Sequence, residues 1–209
     1  MNWLFGKKAV KGARKVSRLS MAVEGLEDRA LMTSFTLLDT LNARDTINLQ
    51  ELNIVQSIES LKLNETANFQ QVIANGQART QALASEYAAV KADEQANSGN
   101  PNAVAADRLL ERQILQSGQT VRVLMRQATM LDNVIQKTLS QDEQKVISTF
   151  NNTSRNLGRG HNPFLAIPHA VNALNMYGAQ AQQHDNTGSQ QLSFINSQIN
   201  GPLFVPQGF

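Results

Sequence analysis

Cysteine is absent from the 209 residues. That removes disulfides, thiolate metal sites and cysteine nucleophiles together, and leaves the redox compartment open. Aromatic residues make up only 5% of the chain and charged residues 17%, so there is little with which to fill a thick globular core. No apolar run approaches the roughly 18 residues of a membrane span, and no transmembrane helix is expected.

The polarity is carried instead by amides, 21 Gln and 20 Asn. Such a composition suits the outside of long helices that bury a narrow apolar stripe. The net charge of +2 conceals an asymmetry. Residues 1–23 carry Lys7, Lys8, Lys11, Arg14, Lys15 and Arg18 with no acid, while the other 13 basic residues face 17 acids, leaving the rest of the chain at −4. The basic character belongs to this leader, so nucleic-acid binding by the body is not indicated.

Within the leader, Phe5, Ala9, Val16, Leu19, Val23 and Leu26 recur at helical spacings, and the six basic residues fall mostly on another side. The pattern predicts a basic amphipathic helix that contacts a membrane surface or an export machine through those cations. "ALMTSFTLL", Ala30 to Leu38, is uncharged, but Glu24, Glu27 and Asp28 precede it, which does not fit an ordinary secretory signal.

The body is expected to be all-α, a long antiparallel helical hairpin or coiled-coil-like bundle with a loop-rich C-terminal third. From about residue 35 to 95, Ile47, Ile54, Ile58, Leu61, Val72 and Leu83 fall near heptad spacing, with Leu49, Leu52, Val55 and Phe69 widening the stripe and a break expected near Asn42 to Thr46. "ANSGNPNA", Ala96 to Ala103, punctuates the chain, with Asn100 as a helix N-cap and Pro101 in the first helical position. A second helix then runs to about Phe150 with its seam at Leu110, Ile114, Val121, Leu124, Leu131 and Ile135. Both seams are narrow, so a third helix or another subunit is expected to cover part of them.

Beyond residue 150 the pattern weakens. "NNTSRNLGRGHNP" reads as a polar linker, Pro168 to Gln182 as a short helix, "HDNTGS" as a further break, and "QQLSFINSQI" as a last short helix. The ending "GPLFVPQGF" holds two prolines and two phenylalanines and is expected to be extended. Three regions result: a leader over 1–33, a helical hairpin over 34–150, and linker, short helices and tail over 151–209.

Residues able to carry chemistry do not converge. His161, His169 and His184 have no spacing that makes a metal face, and two of them fall in expected loops. The adjacent acids Asp93-Glu94 and Asp142-Glu143 would point in different directions on a helix. "GRGH", Gly158 to His161, lacks the lysine and hydroxyl of a phosphate loop. No catalytic residue, metal site, cofactor or small-molecule substrate is expected, and the chain is read as a non-enzyme.

One short block stands apart. "VEGLEDRALMT", Val23 to Thr33, places Glu24, Leu26, Glu27, Asp28, Arg29, Leu31 and Met32 directly after the basic leader. It resembles the N-terminal LEPR-XLL motif of exported planctomycete proteins, which reads roughly Leu/Phe-Glu-x-Leu-Glu-x-Arg-x-Leu-Leu after an arginine-rich leader. Glu24, Leu26, Glu27, Arg29 and Leu31 match. Asp28 stands where Asp or Pro is usual, and Val23 and Met32 depart conservatively at apolar positions. The resemblance covers about ten of the 209 residues. It implies export to the cell envelope or exterior, and nothing about the activity of the body.

These observations lead to the expectation of an exported or cell-surface structural protein that works by assembly, with itself or with another envelope protein. The alternative is a cytoplasmic, membrane-peripheral adaptor whose basic helix binds lipid and whose hairpin binds a protein partner.

Overall fold

The computed structural model describes residues 36–202. The leader, the export-type block with all its named residues, and the extended ending over 203–209 lie outside the described residues. Three helices account for nearly all of what is described: α1 (Leu37–Ala96), α2 (Pro101–Gly158) and α3 (Pro163–Ile199). Among the described residues there is no strand, and every helix packs against both others.

Each helix starts where side-chain chemistry satisfies its first amides. Thr36 Oγ1 accepts from Asp39 N at 3.1 Å while Thr36 N donates to Asp39 Oδ2 at 2.9 Å, a reciprocal box. The Thr36 hydroxyl bond, with this backbone bond second, holds the Asp39 carboxyl below its ordinary value. Asn100 Oδ1 accepts from the amides of Asn102 and Ala103, with Pro101 at the first helical position. Asn162 does the same for Phe164 ahead of Pro163.

The contacts of α1 with α2 pair rising with falling numbers: Lys62 meets Glu143, Gly76 meets Met125, and Lys91 meets Glu111. The two helices therefore run in opposite directions, and α3 turns back again to lie beside α1, with Gln50 bonded to Asn175 and Asn75 to Asn196. Since Asn196 lies beside Asn75 and α3 ends at Ile199, the last turns of α1 and the first turns of α2 extend past it and, among the described residues, face each other.

The core is a row of aliphatic side chains on each helix. Ile47, Ile58, Leu139, Leu157, Leu174, Leu192 and Ile199 are fully buried, each contributing about 1.5–3 kcal/mol relative to exposure. The aliphatic core falls into two clusters. One is built around Ile47, Ile54, Leu139, Val146 and Leu174, the other around Val72, Leu83, Val121, Ala128 and Leu192.

Several sequence expectations are corrected. No break occurs at Asn42 to Thr46; Thr46 Oγ1 donates back to Asn42 O at 2.8 Å inside continuous helix. Residues 151–158 are the last turns of α2 and not a linker, and "HDNTGS" is the middle of α3, so the C-terminal third is not loop-rich within the described residues. The reason is tertiary. Gly178 and Gly188 are sites where α3 approaches its neighbours: a Cβ on Gly178 would stand 3.3 Å from Ile54 Cγ2, and one on Gly188 would stand 2.8 Å from Ile135 Cγ1. Close packing there outweighs the helix-breaking propensity of glycine. Pro168 is not the start of α3, because Asn162 and Pro163 already form that start one and a half turns earlier.

Candidate functional site

Between the two aliphatic clusters lies a polar layer to which each helix contributes an acid: Glu65 from α1, Asp132 from α2 and Asp185 from α3. Glu65 is fully buried and Asp185 nearly so. Glu65 Oε2 accepts from Ser189 Oγ at 2.9 Å, whereas Glu65 Oε1, Asp132 Oδ1 and Asp185 Oδ1 are buried with no hydrogen-bond partner.

Such a layer disfavours ionisation. Burial raises the Glu65 carboxyl above its ordinary range; the bond from Ser189 opposes this, and the nearby charges of Asp185 and Asp132 add to it. Burial also raises Asp132, against a bond from Gln136, and raises Asp185. The nearest lysine on α1, Lys62, is committed to Glu59 and Glu143. Chemically the layer holds protons or donors in preference to a free negative charge.

A second polar cluster is better compensated. Asp142 is fully buried; Lys145 Nζ donates to its Oδ1 at 2.8 Å, and the His184 ring N–H donates from Nδ1 to its Oδ2 at 2.7 Å. The Lys145 ammonium also stands 5.6 Å from the Tyr177 ring centre. His184, expected in a loop, is thus on α3 and bonded to Asp142, and Glu143, beside Asp142, points elsewhere, to Lys62. Among the described residues no group of three or more His, Cys, Asp or Glu is arranged to hold a metal ion.

The abundant amides find a place at the rims of the seams. Gln50 Nε2 donates to Asn175 Oδ1 at 2.6 Å, Asn75 Nδ2 to Asn196 Oδ1 at 2.8 Å, and Gln136 Nε2 to Lys62 O at 3.1 Å. Of the seam residues expected from the sequence, Ile54, Ile58, Leu61, Ile114, Val121 and Ile135 are buried, and Leu124 and Leu131 are half-buried against the core. Leu110 is exposed and is not a seam residue. α3 does not reach that level, and Glu111, one residue on, faces α1 through its 2.5 Å ion pair with Lys91.

The widened stripe expected on α1 is in fact two rows. Leu49 and Leu52 do not join the core; with Leu38, Leu41 and Leu63 they stand on the outside, between 44% and 71% exposed. At 3.6 residues per turn these five leucines fall within an arc of about 80°, roughly opposite the arc of Ile47, Ile54, Ile58, Leu61 and Glu65. A buried acid in a seam carries a sequence signal after all. Glu65 continues the steps of three and four from Ile58 and Leu61, and Asp142 sits between Leu139 and Val146 in the same way.

No known family model matches the chain, and comparison with curated proteins and with solved structures finds no match. Among the described residues no helix is long and apolar enough to cross a membrane.

Proposed function

We propose that this chain is an exported or envelope-associated helical subunit that works by assembly and performs no catalysis. The observation that carries the reading is the outward leucine row of α1: five exposed leucines, interspersed with Asp45, Gln56 and Glu59, stand opposite the buried seam, where a partner can meet them. The block from Glu24 to Met32, with Lys7 to Arg18 ahead of it, supports an address outside the cytoplasm by its similarity to the LEPR-XLL motif. Receptor-read addresses of this kind depend on identity at a few positions. The seams of α1 and α2, stepping by three and four residues, support a coiled-coil-like hairpin closed by α3. The acidic layer of Glu65, Asp132 and Asp185 serves in this reading to fix the register of the three helices.

Cell fractionation with N-terminal sequencing tests the location. Recovery from the envelope or medium is expected; a cytosolic chain retaining Met1 overturns export. Binding to anionic vesicles that is abolished by neutralising the six leader cations, in a chain found in the cytosol, would establish the membrane-peripheral adaptor instead.

A further inference from the structure

We infer that residues 203–209 dock in cis along the flank of the α1–α2 hairpin that α3 follows as far as Ile199 and then leaves. The inference goes beyond the assembly reading and does not depend on it. Asn196 lies beside Asn75 and Gly188 beside Ile135, so Ile199 stands level with about Ala78 on α1 and Leu124 on α2. From Ala78 to Ala96 the hairpin runs on for about 27 Å. Gly201 N donates to Gln198 O at 3.3 Å and Pro202 follows, so the segment sets out at the near end of this flank.

The flank suits an extended chain. On α1, Asn68 and Asn75 bond to α3, and seven residues further on the same face carries Ala82 and then Ala89, both exposed. On α2 the half-buried Leu131 and Leu124 recur in the same way as the buried Ser117 and the exposed Leu110. Alanine and serine at these positions leave a shallow furrow. At its near end opens an uncharged groove that includes Thr120, Val123 and Leu124, and through Gln127 it continues the groove between α2 and α3 at Phe194.

The segment fits in length and in chemistry. Leu203, Phe204, Val205 and Phe209 are apolar, none of its residues is charged, and Pro206 favours an extended backbone. Fully extended, residues 203–209 span about 23 Å, enough to pass Leu110 and approach the end of the hairpin. The charges along the way do not oppose an uncharged chain. Arg79 and Glu86 pair with each other at 3.8 Å, and Asp93 is exposed. Asp107 holds a buried Oδ2 with no partner, an acceptor for a backbone N–H at the far end of the segment. The other side of the hairpin is bridged by Lys91 with Glu111 and Arg108 with Glu94, and offers such a segment less.

Two measurements on the full chain test the docking. Because the chain has no cysteine, a pair of introduced cysteines reports one contact at a time. Gln207→Cys with Leu110→Cys is expected to close a disulfide within one molecule on mild oxidation. Gln207→Cys with Leu115→Cys is expected not to, since Leu115 lies on the other side of α2 with Tyr87, although a loose segment would reach it as readily. Equal closure of both pairs would show an undocked segment, closure with Leu115 alone another groove, and a linked dimer docking onto a second copy. Each of these overturns the inference, as does closure of neither pair.

Hydrogen exchange gives the second reading. Phe204→Asp is expected to speed exchange over residues 82–96 and 110–117 by roughly tenfold, with no change near Leu139 and unchanged helical circular dichroism. Unchanged exchange throughout overturns the docking, and so does uniform acceleration along all three helices.

Discussion

Ser189 on α3 donates its hydroxyl to Glu65 on α1 at 2.9 Å, and the other oxygen of that buried carboxyl receives no bond. The half-satisfied acid faces Asp132 and Asp185, which burial also raises above their ordinary values. A carboxyl whose folded value exceeds its unfolded one binds its proton more tightly in the folded state. Its contribution to stability is complete below the unfolded values, 4.5 for Glu and 3.8 for Asp, and is lost as pH rises through the folded value. Urea unfolding is therefore expected to show a more stable protein at mildly acidic pH than at pH near 8. A steady loss of stability over that descent would contradict the layer as described.

The same layer predicts the effect of a neutral isostere. Glu65→Gln removes the buried negative charge and supplies a donor toward Asp185 and Asp132. It is expected to stabilise the protein by on the order of 1 kcal/mol near neutral pH and to flatten the pH dependence. Paired urea titrations of the two proteins at two pH values read both effects. An equal loss of stability at both would show that Glu65 is satisfied by some other group.

Three helical glycines give a graded series, read as melting temperatures. A Cβ on Gly188 would stand 2.8 Å from Ile135 Cγ1 and 3.1 Å from Glu65 Oε1, so Gly188→Ala should destabilise by about 1–3 kcal/mol despite alanine's helix propensity. A Cβ on Gly76 would meet Met125 Cγ at 2.6 Å and Sδ at 2.7 Å, but a methionine can move aside, and Gly76→Ala should be near neutral. At Gly118 nothing lies within 4 Å, and Gly118→Ala should gain about 0.5–1 kcal/mol. A reversed order would mean that α3 is seated differently.

Asp142 offers an asymmetric test. It is fully buried, whereas its partners Lys145 and His184 are both more than 40% exposed. Asp142→Asn frees two groups that water can solvate and should cost roughly 1 kcal/mol. Lys145→Met combined with His184→Gln strands the anion and should cost on the order of 3 kcal/mol. Denaturant titration ranks the two; a costlier Asp142→Asn would place the weight on the cations instead.

Legibility from the sequence varied along the chain for identifiable reasons. Asn100 and Pro101 carry a local mechanism, and they cap and open α2 as their chemistry requires. Ile54, Ile58, Ile114 and Ile135 were readable because aliphatic periodicity reports a buried face directly. Leu49 and Leu52 share that periodicity's residue type but belong to a second row, and counting leucines without their angle merged the two. Gly188 in "HDNTGS" reads as a breaker because the packing that requires it, against Ile135, is long-range. Glu65 is hidden for the opposite reason: a charged residue in an apolar row looks like an interruption until its neighbours on the other helices are known.

The unequal lengths of the helices bear on how the molecule comes apart. Past Ile199 the ends of α1 and α2 are, among the described residues, held by each other, through contacts such as Lys91 with Glu111 and Arg108 with Glu94. Backbone amides there should exchange with solvent ahead of those near Leu139 and Leu174, since the free energy of local opening follows local burial. The loop from Asn97 to Asn100 is thus the tip of the least cooperative part of the three-helix body, a place where foreign sequence can be inserted with little disturbance to the packed helices.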